Sequence, residues 1–115
     1  MKVFVYGTLK TGHGNNTVLK NIDAKFLGRD IVSNFTMYDL GVFPGAEAGT
    51  GTLHGEVYEV DNLDELDMLE GYPVLYLREE VDTIYGKAWI YTINKSGKYS
   101  AMFKGLEIVE NGIWK

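Results

Sequence analysis

Apolar positions change period several times along this chain, and each change predicts an element. Lys2 to Tyr6 is a short apolar run, rich in β-branched and aromatic residues and stopped by Gly7, which is the pattern of a buried strand. From Thr17 to Ile22, residues Val18, Leu19 and Ile22 recur at helical spacing behind Asn16, predicting a short helix with Asn16 as its N-cap. Ala24 to Val32 and Phe35 to Leu40 predict two strands separated by Ser33-Asn34. Thr52 to Val60 alternates with Leu53, Val57 and Val60 apolar, a long central strand in which Gly55 marks a bulge or close approach.

A second helix follows that strand. Asp61 or Asn62 caps it, Glu65 stands three residues after Asn62 as in a capping box, and Leu63, Leu66 and Leu69 mark its apolar face. Gly71 occupies a C′ position and Pro73 forbids continuation, so the helix ends near Glu70. Leu77 to Ile84 and Lys87 to Ile93 predict two strands joined at Tyr85-Gly86. In the tail from Tyr99 to Trp114, residues Leu106, Ile108, Val109, Ile113 and Trp114 are expected to cover one side of the core, and Trp89, Tyr91 and Tyr99 are core or cleft aromatics, with core the preferred reading.

Two glycine-rich stretches break the periodic pattern. Gly7 to Asn16 carries Gly7, Gly12 and Gly14, where missing Cβ atoms let backbone N–H groups approach a bound anion. It is not a P-loop, since His13 and Gly14 stand where Lys and Ser/Thr are required. Gly41 to Gly51, with four glycines and Pro44, reads as a long loop forming a wall of any cleft opposite Gly7 to Asn16. Gly49-Thr50-Gly51 with Gly55 has the wrong spacing for a dinucleotide fingerprint.

One polar position falls on the apolar side of the pattern. Leu63, Leu66 and Glu70 lie at i, i+3 and i+7, so a helix places Glu70 on the leucine stripe and at its own C-terminus. Desolvation and the helix dipole there both raise a carboxyl pKa toward the range useful to a general acid or base near neutral pH. The bland alternative is a Glu at a frayed helix end, reaching water or pairing with Arg78. If a strand starts just after Pro73, Tyr76 and Arg78 share one sheet face and both approach this helix. An Arg beside Glu70 would oppose the raised pKa, so Arg78 is expected to serve a different acid.

Composition narrows the partners. At 115 residues the chain is read as one domain, 1–115, able to bury about two-thirds of its unfolded surface. A net charge of −5 argues against nucleic acid or an anionic membrane as partner. The absence of cysteine rules out disulfides, thiol nucleophiles and cysteine metal sites, and suits the cytoplasm. His13 and His54 have no third partner at ligand spacing, so no metal is expected.

Tyr6-Gly7-Thr8-Leu9, then Lys10, Gly12 and Asn15, resemble the opening of the gamma-glutamylcyclotransferase superfamily. Gly55-Glu56-Val57-Tyr58, Leu66-Asp67, Glu70, Pro73, Tyr76 and Arg78 resemble its central strand, catalytic-glutamate helix and following strand. The resemblance runs from Val3 to about Ile93 and looks most like the gamma-glutamylamine branch and its small bacterial relatives. It implies a β-rich α+β fold, a small closed mixed barrel of about six strands with short helices. It further implies that the backbone of Tyr6, Gly7, Thr8 and Leu9 binds the glutamyl group, that Glu70 is the catalytic acid/base, and that Tyr76 and Arg78 support it. The implied reaction releases 5-oxoproline and an amine from a small γ-glutamyl substrate, with no cofactor, nucleic acid, membrane or protein partner. A non-catalytic binding or sensor module for a glutamyl-like metabolite would use the same cleft.

Overall fold

A computed structural model describes residues 1–115. Six strands form one mixed sheet in the order β4-β5-β1-β3-β2-β6. They are β1 (Lys2–Val5), β2 (Lys25–Asp39), β3 (Pro44–Glu59), β4 (Tyr76–Thr83), β5 (Gly86–Ile93) and β6 (Glu107–Ile108). Helix α1 (Asn16–Asn21) follows the first loop, α2 (Asp64–Glu70) links β3 to β4, and a 3₁₀ turn spans Ser100–Phe103. Only the β1–β5 pair is parallel; the other neighbours are antiparallel. The sheet curls into a half-barrel, and its far strands meet through side chains: Asp30 on β2 accepts the Ile84 N–H at 2.9 Å, while the Tyr85 ring packs on Gly28.

Curling creates two cores, and that is why Val3 to Tyr6 is an unbroken apolar run rather than an alternating one. Val3 and Val5 face a cluster completed by Leu19, Leu63, Leu66, Tyr76, Tyr91, Ile93 and Phe103. Phe4 and Tyr6 face the inside of the curl with Val32, Met37, Leu53, Val57 and Ile90. Of the tail residues, Leu106 joins the first cluster and Val109 and Trp114 the second. Ile108 and Ile113 are exposed instead, as is Tyr99, so those three do not cover the core.

The two strands expected on either side of Ser33-Asn34 are one. Strand β2 runs through the pair, and the slip is absorbed by a bulge between Ser33 and Phe35 with Asn34 at φ 73°. Gly41 to Gly51 is not a loop either: from Pro44 onward it is the first half of β3, paired with β2 from Asp39↔Pro44 to Phe35↔Ala48. Its glycines serve close packing. A Cβ on Gly45 would lie 2.7 Å from Ile93 Cγ1, and one on Gly49 would collide with Thr36. The true turn is Leu40 to Phe43, closed by Leu40 N–H donating to the Phe43 carbonyl at 3.1 Å.

Helix α1 starts at Asn16 rather than after it, and Asn15, its N-cap, makes no side-chain capping bond. Helix α2 ends as expected, with Gly71 left-handed at φ 65°. Its start is fixed by Asn62 Oδ1, which accepts the Asp64 N–H at 3.0 Å, rather than by a Glu65 capping box. Leu63 and Leu66 are buried, whereas Leu69 is 41% exposed. No helix is long and apolar enough to cross a membrane.

Candidate active site

Where β1 leaves the sheet, the chain turns over a cleft of about 200 Å³. The Tyr6 to Leu9 segment with Asn15, the end of α2 at Leu69 and Glu70 with Leu75, and Phe43 with Pro44 all line it. Tyr76 and Tyr91 complete it. The sequence-predicted residues Tyr6, Gly7, Thr8, Leu9, Glu70 and Tyr76 therefore share one cavity. Arg78 does not line it.

The amide run is available because the chain has already left its ladder. Neither backbone nor side-chain acceptors within the protein take the N–H groups of Gly7, Thr8 or Leu9. Three successive donors on a cleft wall form a concave site for negatively charged oxygen. Gly7 permits this by contact rather than by φ, which lies outside the left-handed region. A Cβ there would sit 2.6 Å from Pro44 Cγ.

The rest of the glycine-rich loop does something else. His13 N–H donates to the Lys10 carbonyl at 3.0 Å, and Gly12 at φ 88° supplies the third position of that turn. Gly12 and Gly14 thus shape the loop outside the cleft. Lys10 points away as well, with Nζ donating to the Trp114 carbonyl at 2.8 Å. Buried Glu56 holds the loop to the sheet: its Oε1 accepts from Thr11 N–H at 2.8 Å, Thr11 Oγ1 at 3.2 Å and Tyr58 Oη at 3.1 Å. Asn16 Nδ2 donates to the Leu9 carbonyl at 2.8 Å and to Tyr58 Oη at 3.2 Å.

Glu70 has no partner in the chain. The four ion pairs are Met1–Glu59, Arg78–Asp67, Lys87–Asp82 and Lys95–Glu47. Burial raises the Glu70 carboxyl from the ordinary 4.5 to about 7. Arg78 instead makes a two-pronged contact to Asp67, Nε to Oδ1 at 2.9 Å and Nη2 to Oδ2 at 3.1 Å. Its guanidinium lies 4.3 Å from the Tyr72 ring centroid and 5.0 Å from that of Trp89.

The three phenols of the cleft donate into the protein. Tyr6 Oη donates to the Tyr91 carbonyl at 2.7 Å, Tyr76 Oη to the Pro44 carbonyl at 2.7 Å and Tyr91 Oη to Asp67 Oδ1 at 2.6 Å. Burial pushes all three pKa values up, so they stay neutral and fix the walls. Tyr91, read as a core aromatic in preference to a cleft one, belongs to both the core and the cleft, while Asp67, Glu56 and Phe43 were not singled out as site residues. The signal for Asp67 was its position one turn before Glu70 on the same helix; Phe43 was hidden in an apparent loop.

The family described as gamma-glutamyl cyclotransferase, AIG2-like, matches residues 3–115. The chain belongs to that family. It is 42% identical over 116 residues to the gamma-glutamylcyclotransferase family protein YtfP of Citrobacter rodentium, covering 99% of this chain and 95% of the relative. The solution NMR structure of YtfP from Escherichia coli has a TM-score of 0.77 at 39% identity, covering 99% of this chain and 96% of that one. The crystal structure of an AIG2-like protein from Mus musculus has a TM-score of 0.75 at 30% identity, covering 95% and 85%. The half-barrel is therefore a family architecture, and the general functional class is gamma-glutamylcyclotransferase-like.

Proposed function

We propose that this protein is a cyclotransferase that converts a γ-glutamyl amine or γ-glutamyl amino acid into 5-oxoproline and a free amine, with Glu70 as general acid/base. The observation that carries the reading is the presence, among the residues lining one cleft, of three successive amides without an internal acceptor and a single unpaired carboxyl whose pKa is raised to about 7. That is the polar complement of a glutamyl head, which carries one carboxylate and one ammonium.

The reaction is an internal aminolysis. The substrate's α-amine attacks its own γ-carbonyl carbon, a C–N bond closes the five-membered lactam, and the C–N bond to the departing amine breaks. The α-ammonium sheds one proton to free its lone pair and a second as the lactam forms; Glu70 takes each in turn and passes it to the leaving nitrogen, which departs as an ammonium, so protons balance without a co-reactant. Because nucleophile and electrophile belong to one molecule, the protein's main task is to hold the chain folded. The Gly7 to Leu9 amides hold the glutamyl carboxylate or the developing oxyanion. Tyr76 fixes the Pro44 wall, and Arg78 keeps Asp67 rather than Glu70 neutralised.

Incubation of the purified protein with a panel of γ-glutamyl amines and dipeptides, assayed for 5-oxoproline, tests the reading. Turnover lost in Glu70→Gln supports it. Saturable binding of the same compounds without any 5-oxoproline would show a binding module instead.

A further inference from the structure

We propose that a second cavity, between β2, the turn at Lys95 and the 3₁₀ turn at Ser100–Phe103, binds a small organic anion: an apolar body the size of an aromatic ring carrying a carboxylate or phosphate head. The proposal stands apart from the cyclotransferase reading, because this cavity shares no lining residue with the cleft that holds Glu70.

Size and lining both point to such a ligand. The cavity has a volume of about 390 Å³, in the range of small-molecule sites. Its apolar part is Phe103, only 5% exposed, with the half-buried Leu106 and Tyr38. Its polar part is Lys95, Ser100 and Lys104. Lys95 is already engaged: its Nζ lies 2.9 Å from Glu47 Oε1 and 5.8 Å from the Tyr38 ring centroid. Lys104 belongs to none of the four ion pairs. Ser100 donates its N–H to the Gly97 carbonyl at 3.1 Å, and no group of the chain bonds its hydroxyl. One cavity therefore offers an unpaired ammonium and a free hydroxyl together with apolar side chains.

The surrounding charge favours an anion as well. The chain carries a net charge of −5, yet from Tyr85 to Leu106 it has no Asp or Glu and four lysines, Lys87, Lys95, Lys98 and Lys104. Asp39 and Glu107 lie close in sequence, but they pair with each other one step along from Tyr38↔Ile108. Side chains alternate along a strand, so both carboxylates turn to the sheet face opposite Tyr38. Glu47 is neutralised by Lys95. A purely inorganic anion would gain only the contact to an exposed lysine, which is worth little in water. An uncharged apolar molecule would leave Lys104 and Ser100 unused. A molecule with both halves uses the whole lining.

The test titrates the protein with phenylacetate and phenyl phosphate, with acetate and benzyl alcohol as the two half-molecules, and follows backbone amide shifts. Saturable shifts in Lys95 to Leu106 are expected with at least one of the two aromatic anions. The tighter binder identifies the head group. Acetate and benzyl alcohol should bind about tenfold more weakly or worse, since each lacks one half. Lys104→Gln, at an exposed position that does not disturb the fold, should weaken the aromatic anion about threefold or more, and added salt should do the same. Shifts confined to Gly7–Leu9, the absence of saturation, or benzyl alcohol binding as tightly as phenylacetate would overturn the proposal. A Kd unchanged in both Lys104→Gln and Ser100→Ala would overturn it too.

Discussion

Arg78 is locked to Asp67, one helical turn before Glu70, and this pairing leaves Glu70 without a counter-charge. Of the four carboxyls on α2, only Asp67 is paired with a cation. Asp67→Asn should release the guanidinium from its charge partner and make Glu70 the next carboxyl on that helix. The Glu70 pKa then falls toward the ordinary carboxylate range, and the acid limb of the kcat/KM profile moves to lower pH. Loss of the part-buried pair should also cost about 1–3 kcal/mol. A lowered melting temperature with an unmoved acid limb would show that Asp67 is structural alone.

Glu70→Gln should lower turnover by about a hundred- to ten-thousand-fold, the usual worth of general acid–base catalysis. Its effect on stability has a definite sign and window. Below the ordinary 4.5, the carboxyl is protonated in both folded and unfolded chains, and it contributes nothing to pH dependence. Between there and about 7 the folded state holds the proton more tightly, so stability falls as pH rises. Glu70→Gln removes that loss and should be the more stable protein by about 1–3 kcal/mol above neutral pH, with the gap closing in acid. Melting curves across that range check it. An equal gap at all pH values would contradict a raised pKa.

Gly7 and Gly12 should separate cleft from turn. Gly7→Ala places a Cβ 2.6 Å from Pro44 Cγ and 2.8 Å from Cδ, so the amide wall and the start of β3 must move apart. The expected result is a stability loss of about 1–2 kcal/mol and a disproportionate fall in kcat/KM. Gly12→Ala meets no neighbour but must adopt φ 88°, costing about 1 kcal/mol while leaving kcat/KM unchanged. Equal effects on kcat/KM from both variants would dissociate the amide run from the cleft's function.

The difference between those glycines also marks what the sequence could and could not tell. Helix α2 and its end at Glu70 were legible because their signals are local: a leucine stripe, Gly71 and Pro73. The amide wall at Gly7 was legible because a buried strand stops there. Gly41 to Gly51 was misread because glycines in a loop and glycines in a strand look alike in one dimension. What distinguishes them is the Ile93 and Thr36 side chains crossing their faces, contacts that exist only after folding. The single strand β2 was hidden for a related reason, since a bulge at Asn34 costs the ladder one register step and not its continuity. Arg78 was expected to serve an acid other than Glu70, but nothing in the sequence named Asp67. That choice depends on how β4 lies against α2.

Glu56 is the last case in which a sequence motif hides its partners. It sits on β3 with its side chain buried, and its Oε1 gathers three donors, two of them from Thr11 on the far side of the loop. Because the same loop carries the Gly7 to Leu9 amides, Glu56 is a positioning residue for the anion wall. Glu56→Ala leaves the Thr11 N–H and the Tyr58 hydroxyl without that acceptor, at a cost of about 1–3 kcal/mol. Glu56→Gln keeps an acceptor oxygen in the same place. Loss of kcat/KM in the alanine variant, largely restored in the glutamine variant, is therefore expected. Amide exchange from Gly7 to Leu9 should accelerate in the first and not in the second. If the alanine variant melts earlier yet keeps its full kcat/KM, Glu56 holds the fold and not the wall, and the amides are kept in place by the bonds from Lys10, Asn15 and Asn16 to the Gly7, Thr8 and Leu9 carbonyls.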